Sequence, residues 1–274
     1  MAWRFGLLGS GIGYSLSPDI FEWCFRATNL NGTYRLWDVP PAALKSVLSG
    51  GEWDGLNVTV PFKTDVLPFC EELSERARNA GAINTLWHSG DHLRGDNTDG
   101  EGFAEALRRW AGETSIWGRA LVIGSGGAAR ACAAQMISAE AVDEITFASR
   151  SPDDARRAML GALQTMAIIT PEAAAKMLGE FDLVVQATPV GSVSLPGMPL
   201  PPPFTFREQA MVMDLIYAPR ETALLQMAKR NGAHVMNGLP MLIAQAAVSF
   251  RLWTGAEISL ERAMTELWPR LEAA

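Results

Sequence analysis

Leu121-Val122-Ile123-Gly124-Ser125-Gly126-Gly127-Ala128-Ala129-Arg130-Ala131 runs from an apolar strand pattern through a glycine-rich turn into helix-forming residues. Glycines let a backbone approach a pyrophosphate, and the N-terminus of the next helix supplies N–H donors and a partial positive charge. The stretch is a variant of G-x-G-x-x-G: its third glycine is Ala129, whose small side chain still permits close helix–strand packing. A purely structural turn uses similar residues, so the strand before and the helix after are what favour a dinucleotide site. Gly124, Ser125, Gly126, Gly127 and Ala128 are the candidate phosphate cradle.

The next strand pattern ends at Phe147-Ala148-Ser149-Arg150-Ser151, about 25 residues beyond Gly124. An NAD site usually carries Asp or Glu there for the ribose 2′-hydroxyl, whereas arginine suits a 2′-phosphate. Here Arg150 stands between the hydroxyls of Ser149 and Ser151, which favours NADP. Asp153 and Asp154 lie close by and weaken that preference slightly, and an exposed loop arginine is the plainer alternative.

Outward from this turn, apolar runs alternate with helical patterns, the sequence form of a parallel sheet flanked by helices. Strands are expected at Phe5 to Leu8, Thr33 to Trp37, Leu56 to Thr59 and Ile83 to His88. Ser17-Pro18 opens a helix, with serine as N-cap and proline in the first helical position. The pattern restarts near residue 100: a helix from Gly100 to Trp110, then Gly112 and a short polar stretch. Strands follow at Ala120 to Ile123, Glu144 to Phe147, Leu183 to Ala187 and Met211 to Ile216, and Pro199 to Pro203 is a rigid loop. The class is two-domain α/β. A Rossmann-type domain over 101–236 is inserted into an N-terminal α/β substrate domain of 1–100 plus 237–274. The helices Leu239 to Leu252 and Leu260 to Leu271 return to that first domain.

Composition narrows the function. The chain has 274 residues, 48% of them hydrophobic and 19% charged, with a net charge of −7. Such an acidic chain has no global attraction for nucleic acid or an anionic membrane; an anionic small-molecule partner remains open to it, held by a few local donors. Cys24, Cys70 and Cys132 are odd in number and far apart, giving neither a disulfide framework nor metal-ligand spacing. His88 and His92 flank Ser89-Gly90-Asp91, which reads as an exposed hairpin turn rather than a metal site. No segment has the ~20 apolar residues needed to span a bilayer, and no leader pattern is visible. A cytoplasmic protein with reduced thiols, as a monomer or homodimer, is the expectation.

Polar clusters punctuate the N-terminal half. Tyr14-Ser15-Leu16-Ser17-Pro18 places two hydroxyls at a helix start, a cradle for a carboxylate or simply a cap. Asn57-Val58-Thr59-Val60-Pro61-Phe62-Lys63 ends a strand with an amide, a hydroxyl and an ammonium. Asn84-Thr85 and Asp96-Asn97-Thr98-Asp99-Gly100 complete the set. Each could be a cap or turn by itself; four beside a nucleotide motif point to a ligand. Gln245 is a lone amide in the apolar run Leu239 to Phe250, and if buried it needs a protein partner or a ligand hydroxyl.

In order along the chain, these motifs resemble the shikimate dehydrogenase family. S-x-S-P is Ser15 to Pro18, N-V-T-x-P-x-K is Asn57 to Lys63, G-A-x-N-T is Gly81 to Thr85, D-N-T-D-G is Asp96 to Gly100, and G-x-G-G-A is Gly124 to Ala128. The C-terminal pattern matches at Asp214, Tyr217, Pro219, Thr222, Gly238, Met241, Leu242, Gln245 and Trp253-Thr254-Gly255. The resemblance implies reversible, NADPH-dependent reduction of 3-dehydroshikimate to shikimate. It implies that Ser15 and Ser17 hold the substrate carboxylate, with Thr59, Asn84, Tyr217 and Gln245 around the ring and Lys63 and Asp99 as the catalytic pair. Thr188 and Gly238 would join Ser149, Arg150 and Ser151 on the cofactor.

The sequence departs from the family pattern in places. Ser149-Arg150-Ser151 stands for N-R-T, with the second arginine displaced to Arg156 or Arg157. Gln186-Ala187-Thr188-Pro189-Val190-Gly191 stands for N-A-T-S-x-G, where Pro189 removes a backbone donor. Tyr14 stands for a common histidine. Alternatives are a relative acting on quinate or an aminated analogue, and a catalytically silent dinucleotide sensor. Retention of Lys63 and Asp99 argues against silence.

Overall fold

A computed structural model of the chain describes residues 2–112 and 116–273. It contains two compact units, Met1–Phe103 with Leu242–Ala274, and Ala104–Met241. The polar stretch after Gly112 falls on 113–115, outside the described residues.

The first unit runs β1 (Trp3–Gly9), α1 (Ser17–Thr28), β2 (Gly32–Asp38), α2 (Leu44–Ser49), β3 (Gly55–Val58), β4 (Glu72–Leu73), α3 (Glu75–Ala80), β5 (Thr85–Ser89), β6 (His92–Asp96) and α4 (Asp99–Ala111), the last continuing into the second unit. Its sheet has the order β2-β1-β3-β5-β6-β4. Strands β1, β2 and β3 are parallel, whereas β5 runs against β3 and β6 against β5. The carboxyl ends of β1, β3 and β6 therefore share one edge of the sheet with the amino end of β5. All four polar clusters lie at that edge.

The second unit continues with β7 (Trp117–Ile123), α5 (Gly127–Ser138), β8 (Val142–Ala148), α6 (Pro152–Ala158), β9 (Ala167–Ile169), α7 (Pro171–Met177), β10 (Leu183–Gln186), β11 (Met211–Asp214), α8 (Ala223–Arg230) and β12 (His234–Met236). Its strands stand in the order β9-β8-β7-β10-β11-β12, every pair parallel. That is the doubly wound order, and it reverses between β7 and β10, where ligands bind in such sheets. The chain closes with α9 (Leu239–Thr254), α10 (Leu260–Glu266) and α11 (Trp268–Ala273).

Core packing follows the apolar periodicities. On α1, Ile20, Phe21, Cys24 and Phe25 are buried together, and Phe5 of β1 meets Phe25 at 5.6 Å and Trp253 of α9 at 4.5 Å between ring centroids. Burial of each such side chain contributes about 1.5–3 kcal/mol. In the second sheet, Leu121, Val184 and Val212 on neighbouring strands have no exposure and join a core that includes Phe181 and Leu224.

The structure corrects several sequence expectations. Ser17 is the first helical residue rather than the N-cap: Leu16 holds that position without a side-chain cap bond, and the Ser17 N–H donates instead to Ser15 Oγ at 3.2 Å. Thr59 follows β3 instead of ending it. The final helix breaks at Leu267, because Pro269 has no N–H to give and its ring crowds the preceding turn. Strand β6 forms the second arm of a hairpin that puts the exposed His88 and His92 on adjacent strands, with Gly90 at φ +64° between them. Among the described residues no helix is long and apolar enough to cross a membrane.

Candidate active site

Backbone pairing at the first sheet's edge brings the clusters together. Asn57 is paired with Thr85 and Thr85 with Asp96. The Val58 N–H donates to Asn84 O at 2.8 Å, and the Asn84 N–H to Asp96 O at 3.0 Å. The Ser10 N–H reaches Val60 O at 3.1 Å, joining the loop that carries Ser15 and Ser17 to the loop that carries Lys63. Asp38 fastens the first of these loops by accepting the N–H groups of Gly11 and Ile12 at 2.7 and 3.1 Å. Ser15 Oγ donates to Ser17 Oγ at 3.1 Å, so the two hydroxyls converge.

Lys63 Nζ lies 2.5 Å from Asp99 Oδ2, with the side chains only 19% and 7% exposed. Asp99 begins α4, where the helix dipole favours a carboxylate. Its other oxygen, Oδ1, accepts from Asn84 Nδ2 at 2.8 Å. An ammonium has three donors; with one spent on Asp99, two remain to serve a substrate oxygen. Gln245 approaches the same group from α9, its Oε1 3.4 Å from both Asn84 Nδ2 and Thr98 Oγ1 and its Nε2 donating to Leu242 O at 2.9 Å. The Thr59 hydroxyl makes no hydrogen bond among the described residues. Such a cluster can hold a small polyhydroxylated acid and supply a proton to an oxygen that is gaining negative charge.

In the second unit the glycine turn lies at the carboxyl end of β7. Gly124 has φ +108°, and a Cβ there would meet Thr188 Cγ2 at 2.9 Å, so the turn needs glycine at the point where the strand order reverses. Gly126 precedes α5, and a Cβ on it would meet nothing within 4 Å, which leaves its backbone open to a phosphate. The Ser125 and Ser149 hydroxyls are 3.2 Å apart and link the ends of β7 and β8. Arg150 is exposed and has no ion pair among the described residues, whereas Arg157 pairs with Asp154 and Arg156 donates to Gln164 O at 2.7 Å. Arg150 is therefore the uncommitted cation at this strand end. The open backbone at Gly126 and the free guanidinium fit a phosphorylated dinucleotide.

The chain past β10 is held by Gln186, which has no exposure. Its Oε1 accepts the Thr188 N–H at 2.8 Å and its Nε2 donates to the carbonyls of Thr188 and Val190 at 3.0 and 2.7 Å. The loop around Pro189 thus keeps a fixed shape despite the missing donor. Gly238 has a packing reason to be glycine, since a Cβ would sit 2.0 Å from Leu215 O.

Residues 7–86 match the family model for the shikimate dehydrogenase substrate binding domain, and residues 238–267 the model for the shikimate 5′-dehydrogenase C-terminal domain. A curated relative from Desulforamulus reducens, a shikimate dehydrogenase (NADP(+)), is 39% identical over 262 residues, covering 91% of this chain and 89% of the relative. The chain belongs to the shikimate dehydrogenase family. The shikimate 5-dehydrogenase of Thermus thermophilus, solved with NADP(H) and shikimate, is 34% identical at a TM-score of 0.83, covering 98% of this chain and 99% of that one. The quinate dehydrogenase of Corynebacterium glutamicum, solved with NAD, is 27% identical at a TM-score of 0.81, covering 98% and 99%.

For a shikimate dehydrogenase family member, the residues singled out by sequence divide between the two units. Ser15, Ser17, Thr59, Lys63, Asn84, Asp99 and Gln245 belong to the first, with Lys63, Asn84, Asp99 and Gln245 in one hydrogen-bonded group. Tyr217 belongs to the second, its carbonyl accepting from Arg220 at 2.6 Å. Three polar residues near these groups make contacts that their places in the sequence did not assign to them. Arg130 is 5% exposed and donates to Ser125 O at 2.8 Å under the glycine turn, and burial lowers its pKa. Gln186 holds its loop as described. Ser249, one helical turn after Gln245, is fully buried in the polar group itself. Its spacing from Gln245 was the available signal, since i and i+4 share a helix face.

Proposed function

We propose that this shikimate dehydrogenase family member catalyses the reversible NADP-dependent interconversion of shikimate and 3-dehydroshikimate, a step of aromatic amino-acid biosynthesis. The observation that carries the reading is the Lys63–Asp99 contact of 2.5 Å, part-buried and braced by Asn84. The first unit is proposed as the substrate domain and the second as the NADP domain. Ser15 and Ser17 hold the substrate carboxylate, while Thr59, Asn84, Asp99, Gln245 and Tyr217 recognise ring hydroxyls. Gly124 to Ala128 cradle the cofactor's phosphates, Ser149, Arg150 and Ser151 take the 2′-phosphate, and Thr188 and Gly238 complete the cofactor contacts. NADPH, when bound, supplies the hydride. Lys63 stands at the reacting oxygen: it gives that oxygen a proton during reduction and holds it as a hydrogen-bonded alcohol afterwards. Asp99 keeps the ammonium aimed and offsets its charge. We place the enzyme in the cytoplasm, as a monomer or homodimer; Cys24, Cys70 and Cys132 are free thiols, as a reducing compartment would keep them.

The test is a steady-state assay of shikimate and quinate, each with NADP and NAD. Shikimate with NADP should give the highest kcat/KM. A preference for quinate, or for NAD, would overturn the corresponding half of the assignment.

A further inference from the structure

Ser249 is fully buried on α9, in a run whose neighbours Val248 and Phe250 are core residues. A serine in a helix commonly satisfies itself on the carbonyl one turn back, and Ser249 does reach Gln245 O at 3.1 Å. It also meets three side chains from three other segments. Asn57 Nδ2 donates to its Oγ at 3.0 Å, and the hydroxyls of Thr85 and Thr98 lie 2.9 and 3.2 Å away. Filling a core does not require those contacts.

We infer that Ser249 is a positioning residue for the reaction, acting on Asp99 through the amide of Asn84. Asn84 Oδ1 accepts the Thr98 N–H at 2.8 Å and the Thr85 hydroxyl at 2.9 Å. Its NH2 then faces Asp99 Oδ1 at 2.8 Å and Thr98 Oγ1 at 3.0 Å. This polarity matters, because the reversed amide would set its oxygen against a carboxylate. The two threonine hydroxyls that fix it both lie on Ser249, which receives a hydrogen bond from Asn57 and whose single proton is shared between Gln245 O and these hydroxyls. Asn57 is held in turn by Tyr34, whose hydroxyl donates to Asn57 Oδ1 at 2.9 Å. Without Ser249, the Thr85 hydroxyl that donates to Asn84 Oδ1 and the Thr98 hydroxyl that accepts from Asn84 Nδ2 lose the anchor they share and are left only each other, 3.5 Å apart. Asn84 then loses its fixed aim on Asp99, and Asp99 its fixed aim on Lys63.

The inference rests on the proposed roles of Lys63 and Asp99. Ser249→Ala should lower kcat for shikimate oxidation by about 5- to 20-fold, the kinetic equivalent of one or two neutral hydrogen bonds, with NADP affinity unchanged. Ser249→Cys keeps the volume with a weak donor and acceptor, and should lose most of the same activity. In an Asn84→Ala background, Ser249→Ala should cost less than about 2-fold more, because residues acting in one chain are non-additive. The inference is overturned if both Ser249 variants keep kcat within about 2-fold of wild type. It is equally overturned if Cys restores what Ala loses, or if the losses of Ser249→Ala and Asn84→Ala multiply in full. Should Ser249→Ala not fold, the Cys variant and its Asn84→Ala combination decide. Lys63→Ala, run alongside, separates the two levels: full activity there refutes the proposed catalytic pair, whereas its loss beside neutral Ser249 variants refutes only Ser249.

Discussion

Asp214→Asn isolates one buried carboxyl in the second unit. Asp214 ends β11 with no exposure, and no cation pairs with it among the described residues. Burial pushes its pKa up to about 6 from 3.8, against the opposing pull of two hydrogen bonds: the Thr222 hydroxyl at 2.7 Å and the Ile216 N–H at 3.0 Å. Since the folded pKa is the higher one, protonation favours the folded state. The stabilisation is fully present below the unfolded value and is lost as pH rises through about 6. At 1.36 kcal/mol per unit, the full effect is on the order of 3 kcal/mol, of which roughly half falls between pH 5 and 8. Asparagine keeps the acceptor for Ile216, and Thr222 must accept where it donated, a cost independent of pH. Urea unfolding of wild type and variant across pH 5 to 8 should therefore show the variant gaining on the order of 1 kcal/mol on wild type as pH rises. A difference that stays constant over that range would refute the buried, unpaired carboxylate.

Lys63→Ala should cut kcat by about 10²–10⁴-fold with a far smaller change in shikimate KM, since a proton donor acts chiefly in the transition state; turnover within a few-fold of wild type in the folded variant would exclude it. Ser15→Ala and Ser17→Ala should mainly raise KM for shikimate, because a carboxylate is held alike in ground and transition states; an unchanged KM would move the carboxylate elsewhere. Arg150→Ala should weaken NADP by about 10- to 100-fold, the loss of a charge-assisted contact, and leave NAD nearly unaffected; equal losses for both cofactors in titrations would assign Arg150 to the fold.

Local physics made much of this protein legible in its sequence. The strand–glycine–helix run at residues 121–131 could be read because φ +108° at Gly124 and an open helix start at Gly126 are properties of a few adjacent residues. Arg150 was legible for the same reason, its place at a strand end being fixed by the strand before it. Short edge strands such as β9 and β12, three residues each, were not, because their pairing rather than their own pattern makes them strands. Chain order could not say that the four polar clusters share one end of a sheet. That follows from β5 and β6 running antiparallel, which brings residues 57, 84 and 96 side by side. Gln245 carried two readings in the sequence and both were reasonable; the tertiary structure gave it protein partners at 3.4 Å and added Ser249 beneath it. A helix period tells which residues share a face, but what that face meets is set by long-range pairing between segments as far as about 250 residues apart, as with Trp253 and Phe5.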